Sequence, residues 1–294
     1  MRVGTLFSGV GAPEMAMRSL GNHQMVFACD NDAAVKKTYL MNHECGEFFD
    51  DVSVLKDLPE VDLLIFGFPC QPFSLAGKGL GLKDRRGQLV LKVISLMRKN
   101  PPQWFVAENV EGLTKMDGGR TLKLLLKKFR SMGYNVKFDV VNALDCGVPH
   151  NRRRLWIVGC LDGDYQFPIF NEYHPSLVSV LDRNVDDVYW ATDDFLSKPK
   201  VQRKMMEYNK DYINCITQTI CRNGSSGEYI SYVAAVNRAI GQARKPTEEE
   251  CCRLFGFPSD FHFPSDVCMT KRYAMLANSM VVPVLNKILK KIVV

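Results

Sequence analysis

The run from Gly67 to Leu89, GFPCQPFSLAGKGLGLKDRRGQL, restricts this chain more than any other, because it holds a cysteine between two prolines. The apolar residues Leu63 to Phe68 that precede it read as a buried parallel strand. Pro69 and Pro72 fix their own φ and restrict their neighbours, so Cys70 falls on a stiff bend where that strand ends. The carboxyl ends of strands are where open α/β sheets bind ligands. Gly77, Gly79 and Gly81 then alternate among Lys78, Lys83, Arg85 and Arg86, a glycine-rich cationic loop suited to closing over an anionic partner.

The rest of the first half repeats the same unit of strand, turn and helix. Arg2 to Phe7 reads as a strand, Ser8-Gly9-Val10-Gly11 as a turn, and a helix follows from about Pro13, where proline suits a helix start. Backbone N–H groups in such a turn can approach a nucleotide cofactor closely. A second strand, Met25 to Cys29, ends at Asp30, a place from which a carboxylate can accept both hydroxyls of a ribose. The Asp30-Asn31-Asp32 cluster equally fits a helix cap. Gln88 to Arg98 has helical spacing, and Trp104 to Val110 is an apolar strand interrupted by Glu108, an acid with little reason to be there unless it is functional or ion-paired. Arg120 to Met132 is a basic amphipathic helix whose cations read as a solvated face. Strands follow at Asn135 to Leu144 and Arg154 to Cys160, and alternation through Arg152, Arg153 and Arg154 puts the outer two on one face. From Asp162 to Ala243 the rhythm stops, and Asn223 to Gly227 is a loop. Thr247 and Glu250 form a capping box, and a last helix runs from about Val282 to Ile292.

Taken together, these stretches resemble the cytosine-C5 methyltransferases that use S-adenosylmethionine. Pro69-Cys70, Gln71, Phe73-Ser74, Asp84, Arg86-Gly87 and Leu89 match the family's nucleophile motif. Phe7, Gly9 and Gly11 match its Phe-x-Gly-x-Gly motif, with Ala12 where a further glycine is frequent. Asp30-Asn31 stands where the family usually has Glu and an aromatic residue, and Asp51-Val52 takes the third cofactor position. Glu108-Asn109-Val110 matches Glu-Asn-Val, while His150, Arg152 and Arg154 match Gln-x-Arg-x-Arg with histidine in place of glutamine. Ile216 to Thr219 is similar to the Thr-containing signature of the recognition domain, Arg244 to Pro258 to the motif that braces it, and Ala277-Asn278-Ser279 to Gly-Asn-Ser. The resemblance covers nearly the whole chain in family order.

It implies an α/β fold, a doubly wound Rossmann-like methyltransferase sheet with a second, smaller target-recognition domain. The expected boundaries are 1–161 for the catalytic, cofactor-binding part, 162–243 for target recognition and 244–294 for a return to the catalytic part. Cys70, Glu108, Arg152 and Arg154 become the expected catalytic residues. Phe7, Ser8, Gly9, Gly11, Asp30, Asn31, Asp51, Val52, Pro69, Asn278 and Ser279 become the expected cofactor residues, and Ser74, Lys78, Arg86, Thr217 and Arg244 the expected DNA contacts. The implied chemistry adds the Cys70 thiolate to C6 of a flipped-out cytosine, which makes C5 nucleophilic enough to take a methyl group. The resemblance also implies a DNA substrate, a monomer, a place inside the cell wherever the DNA is, and room for a restriction endonuclease partner.

Composition is compatible with this. A chain of 294 residues, 46% hydrophobic, can bury a full core. Its net charge of +6 permits a polyanionic partner without requiring one. No apolar stretch of about 18 residues or more predicts a membrane span, and the N-terminus begins with a strand pattern rather than a signal core. The 10 cysteines include no C-x-x-C and the 5 histidines no H-x-x-x-H, so reduced structural thiols and no metal are expected, with Cys70 the exception. Three rivals remain: a tRNA cytosine methyltransferase on the same domain, a catalytically silent homologue that only binds partners, and a dehydrogenase. The Gly-Phe-Pro-Cys form and the lack of a Cys-Phe-Thr motif favour DNA over tRNA; the intact Cys70, Glu108, Arg152 and Arg154 speak against a silent homologue. A dehydrogenase leaves Cys70-Gln71 and the C-terminal motifs unexplained.

Overall fold

Apolar strands too short to bury both faces alone, each followed by a helix, build a layered α/β sheet. The structure, a computed structural model, describes residues 1–21, 23–69, 87–192, 194, 197, 199, 211–218 and 244–293. The chain divides into two compact units, the first made of residues 1–141, 153–169 and 284–294, the second of 142–152 and 170–283.

In the first unit the chain runs β1 (Arg2–Leu6), α1 (Ala12–Arg18), β2 (Gln24–Cys29), α2 (Ala33–Asn42), β3 (Glu47–Phe49), β4 (Leu63–Gly67), α3 (Leu89–Lys99), β5 (Trp104–Val110), α4 (Arg120–Arg130) and β6 (Asn135–Asn142). The dipeptide β7 (His150–Asn151) belongs to the second unit, and β8 (Arg153–Cys160) returns to the first. The seven-stranded sheet has the order β3-β2-β1-β4-β5-β8-β6. β1 pairs in parallel with both β2 and β4, β4 with β5, and β8 runs antiparallel to β5. This is the expected doubly wound sheet. Its order reverses between β1 and β4, and the crevice outside the carboxyl ends at such a reversal is where ligands bind.

Strand limits differ from the sequence reading where the backbone turns. β1 stops at Leu6 because Phe7 takes a left-handed conformation, φ 54°. β6 stops at Asn142, whose side chain accepts from the N–H of Leu144 and opens a 3-10 turn. Arg152 lies between β7 and β8, so the alternation expected for a strand does not apply to it.

Helix α4 shows why its residues are helical: Leu122, Leu125, Leu126 and Phe129 recur on one buried face, while Lys123, Lys127 and Arg130 are exposed on the other. Phe129 meets Phe105 of β5 at 4.5 Å between ring centres, and Tyr134 meets Phe105 at 5.0 Å. Helix α1 departs from that pattern, because Ala12 to Met17 are all buried, which carries the acid Glu14 into the interior. The second unit holds a parallel bridge between β7 and β9 (Ile213–Asn214), then α5 (Glu248–Phe255) and α6 (Met269–Asn278). α7 (Val282–Val293) ends the described chain, with Pro283 in its first turn as expected.

Phe105 is fully buried at the centre of the first unit's aromatic cluster. Phe105→Ala should lower unfolding stability by about 3–5 kcal/mol in denaturant titration, as large aromatic truncations in close-packed cores do.

Candidate active site

The turn after β1 is built by backbone conformation. Phe7, Gly9 and Gly11 all have left-handed φ, at 54°, 56° and 90°. For Phe7 this costs about 1–3 kcal/mol and persists only where the surroundings over-determine it. They do here: its ring packs on the core cluster, and Ser8 on its other side is locked to Cys29. The Ser8 N–H donates to the Cys29 carbonyl at 3.0 Å, and Ser8 Oγ accepts the Cys29 N–H at 2.9 Å. Open space lies where a side chain on Gly9 would begin, a cradle in which a ligand can approach the backbone.

Asp30 faces this turn. Its Oδ2 accepts the Gly9 N–H at 3.0 Å and its Oδ1 the Asp32 N–H at 3.2 Å, while burial pushes its carboxyl above the usual range. The helix cap of α2 is Asp32, which accepts from Ala34 and Val35, so the capping role falls to Asp32 and Asp30 is tied to the glycine turn. Asn31 is exposed, Asp51 accepts the N–H and hydroxyl of Ser53 at 2.7 Å each, and Val52 is buried. Phe7, Ser8, Gly9, Gly11, Asp30, Asn31, Asp51 and Val52 thus follow the carboxyl ends of β1, β2 and β3 within one unit.

The chemical half follows β4 and β5. Gly67 and Glu108 are register partners in their parallel pair. Asn109 donates from Nδ2 to the carbonyl of Phe68 at 3.0 Å, both buried, which fixes the chain just before Pro69. Cys70, Ser74, Lys78 and Arg86 lie outside the described residues. Antiparallel β8 sets Trp156 opposite Glu108 and Arg154 opposite Val110. Arg154 Nε reaches Glu108 Oε1 at 3.1 Å, with side-chain exposures of 16% and 13%. A carboxylate oriented in this way, largely removed from water, can hold a heterocycle by its N–H edge. Arg153 is turned to Glu111 instead, at 2.9 Å, which holds the Glu111 carboxyl below the usual range.

Other expected site residues lie in the second unit, where two of them have structural work. Arg152 is buried and donates to the carbonyls of Ile216 at 3.3 Å, Ala277 at 2.8 Å and Ser279 at 2.9 Å, with Phe255 under its guanidinium. It therefore braces the Thr-containing segment and the Ala-Asn-Ser turn rather than sharing a strand face with Arg154. His150 is fully buried and its Nε2 accepts the Ile216 N–H at 3.2 Å, a task the amide oxygen of glutamine could perform. Asn278 is exposed and accepts from Gln218 at 2.5 Å, Ser279 is buried, and Thr217 is exposed. Arg244, expected to contact DNA, is 1% exposed and pairs with both oxygens of Glu250 at 2.7 Å. A guanidinium spent on a buried carboxylate does not reach a phosphate, and this expectation is corrected.

The sequence reading assigned no role to Asn109, Glu14, Tyr39 or His43. Asn109 stood inside a recognised motif, and Glu14 was legible as an acid within the apolar run after the glycine turn. Burial pushes the Glu14 carboxyl up to about 7, against hydrogen bonds from Tyr39 and Thr5 that favour its ionised form. Burial also pushes the thiols of Cys29 and Cys252 up to about 12, and those of Cys160 and Cys251 upward, which makes them poor nucleophiles. Among the described residues no group of His, Cys, Asp and Glu could hold a metal ion, and no helix is long and apolar enough to cross a membrane.

Comparison with known proteins gives one consistent result. The profile of the C-5 cytosine-specific DNA methylases matches residues 1–294. The type II methyltransferase M.NgoBI of Neisseria gonorrhoeae is 34% identical over 96% of this chain and 89% of its own length. M.HaeII of Haemophilus aegyptius is 34% identical over 96% and 90%. Among solved structures, the S. pombe Dnmt2 methyltransferase superposes with a TM-score of 0.79 at 21% identity, covering 99% of each chain.

Two outcomes follow from the geometry. Arg244→Ala leaves the buried Glu250 carboxylate without its counter-charge, so it should cost about 3–5 kcal/mol of stability, while the salt dependence of DNA binding stays at the parent's slope. Glu14 has a folded pKa of about 7 against an ordinary value of 4.5, so its contribution is fully present below about pH 4.5 and is lost as pH rises through about 7. Melting of Glu14→Gln across pH 4–8 should lack that decline, which is on the order of 3 kcal/mol in the parent.

Proposed function

The chain belongs to the C-5 cytosine-specific DNA methylases and is a DNA cytosine-5 methyltransferase using S-adenosylmethionine; on that premise we propose that it works through a covalent adduct between Cys70 and C6 of a flipped-out cytosine. The observation that carries the proposal is the Glu108–Arg154 pair, oriented and half-dry beside the strand end that leads into Pro69-Cys70.

Cytosine C5 is a weak carbon nucleophile. The Cys70 thiolate adds to C6, a C–S bond forms, and the electron pair of the C5–C6 double bond moves to C5. Glu108, as the carboxylic acid, gives its proton to N3 while its other oxygen accepts from the exocyclic amine, so the charge that develops on the ring is neutralised, and Arg154 orients that carboxyl group. The cofactor supplies an electrophilic methyl group on a sulfonium sulfur. After C5 is methylated, a base or water removes the C5 proton, the double bond re-forms and the Cys70 thiolate leaves.

The cofactor is received by the turn of Phe7, Ser8, Gly9 and Gly11. The open space at Gly9 fits a ligand approaching the backbone, and Asp30, Asn31, Asp51 and Val52 lie beyond the adjacent strand ends for the nucleoside part. Pro69 completes the set in that unit, and Asn278 and Ser279 are proposed as cofactor residues on the family motif alone. Arg152 enters as the brace of Ala277 and Ser279, not as a contact to the base. Reaching such a pocket requires the base to leave the duplex. Ser74, Lys78, Arg86 and Thr217 are the proposed DNA contacts, and residues 162–243 the target-recognition part. The enzyme acts as a monomer on DNA inside the cell, and the type II relatives favour a restriction endonuclease as its partner. A tRNA substrate is not favoured, since the family whose profile matches the whole chain is one of DNA methylases.

Fluorine at C5 cannot leave as a cation, so it blocks the last step. DNA with 5-fluorocytosine at the target, with cofactor, should trap the chain in a complex that survives denaturing gels. Cys70→Ser should not form it and Glu108→Gln should form it slowly. Peptide mapping should place the adduct on Cys70; an adduct on another cysteine, or one formed with tRNA but not DNA, sinks the proposal.

A further inference from the structure

Two side chains that the reaction does not use grip the glycine turn. Glu14 accepts on Oε1 from Thr5 Oγ1 at 2.9 Å and from the Tyr39 hydroxyl at 2.8 Å. Thr5 Oγ1 lies 2.8 Å from Ser8 Oγ. Thr5 has a single hydroxyl proton, and giving it to Glu14 leaves its oxygen as an acceptor. Ser8 can then donate to that oxygen or to the carbonyls of Thr5 or Cys29, each at 3.2 Å, while it accepts the Cys29 N–H. Glu14 thereby sets the direction of the Thr5 and Tyr39 hydroxyls and leaves the Thr5 oxygen as an acceptor facing Ser8 at the turn.

His43, just beyond α2, acts on the other end. Its Nε2 lies 3.0 Å from the Val10 carbonyl, and its ring occupies the space a side chain on Gly11 would need, 2.2 Å from the ideal Cβ position. Tyr39, one helical turn earlier, links the two, with its ring 5.1 Å from His43 and its hydroxyl on Glu14. Glu14 and His43 also border a cavity of about 380 Å³, together with Arg18, His23 and Glu44, whose lining includes no residue of the turn itself. Truncating either side chain therefore admits water to existing space instead of sealing a void in the core.

We propose that Glu14 and His43 are positioning residues for S-adenosylmethionine, holding the left-handed turn in the shape that receives the cofactor. The inference rests on the reading that this turn binds the cofactor. Loss of either residue weakens cofactor binding and leaves the transfer step at saturating cofactor as it was.

Calorimetric titration of S-adenosylmethionine into the full chain tests this, alongside kcat and KM with target DNA. Glu14→Ala and His43→Ala should each raise the cofactor Kd and KM about tenfold, with kcat within about twofold of the parent. Glu14→Gln keeps an oxygen that accepts both hydroxyls and should restore Kd to within about twofold. Should Glu14→Ala not fold, His43→Ala carries the same comparison. Asp30→Ala is the control for the pocket. Weakened binding in Asp30→Ala beside parental binding in folded Glu14→Ala and His43→Ala would overturn the inference; so would a fall in kcat with KM unchanged, or Glu14→Gln as weak as Glu14→Ala. Parental binding in Asp30→Ala as well removes the pocket reading itself, and the inference with it.

Discussion

Parallel pairing on both sides of β1 is the constraint from which the site follows. Parallel strands cannot be joined by a tight hairpin, so each needs a crossover, and the helices α1 and α2 fill that role around β2. The chain moves outward from β1 through β2 to β3, then restarts on the other side with β4 and β5. Every strand end on that edge therefore opens towards the reversal. The glycine turn, Asp30, Asp51, Pro69 and Glu108 share one edge because of this winding, not because they are close in sequence.

Edge position supplies proximity but not precision. Local polar bonds supply that. Asn109 takes the carbonyl of Phe68, Arg154 takes Glu108, and Ser8 and Asp30 tie the turn after β1 to the end of β2. Each of these groups is at least partly removed from water, so an unmade bond would cost more than a made one contributes. That asymmetry is what lets Phe7 stay in a conformation that residues with a Cβ rarely adopt.

The second unit uses buried cations in a different way. Arg152 and Arg244 both carry charge into an interior where an isolated guanidinium would be untenable. Arg244 is offset by a carboxylate that also accepts the N–H groups of Thr247 and Asp182, and Arg152 by converging backbone carbonyls together with an aromatic face. Arginine suits both places because its planar fork meets several acceptors at fixed angles. Loop segments without regular structure, such as Ile216 to Gln218, gain a defined path from such a fork.

The sequence by itself determined the strand and helix alternation, because short apolar runs and 3.6-residue spacing are local properties. It also marked Cys70, Glu108 and the Gly9–Gly11 turn, since proline brackets, an acid in an apolar strand and paired glycines are each conspicuous where they stand. It misjudged Arg152 and Arg244, because a cation looks the same in sequence whether it faces phosphate or a buried acceptor. His150 read as a substitution within a motif, and only the fold gave it the Ile216 N–H as a partner. Tyr39 and His43 were silent for the same reason, and Glu14 showed only as an acid in an apolar run, without its partners. Their partners lie on β1, the glycine turn and one another across α1 and α2, and separations of that kind are set by how helices pack on a sheet. Residue types and spacing decide which elements form; which side chains lose water together, and so must satisfy one another, is decided only when those elements meet.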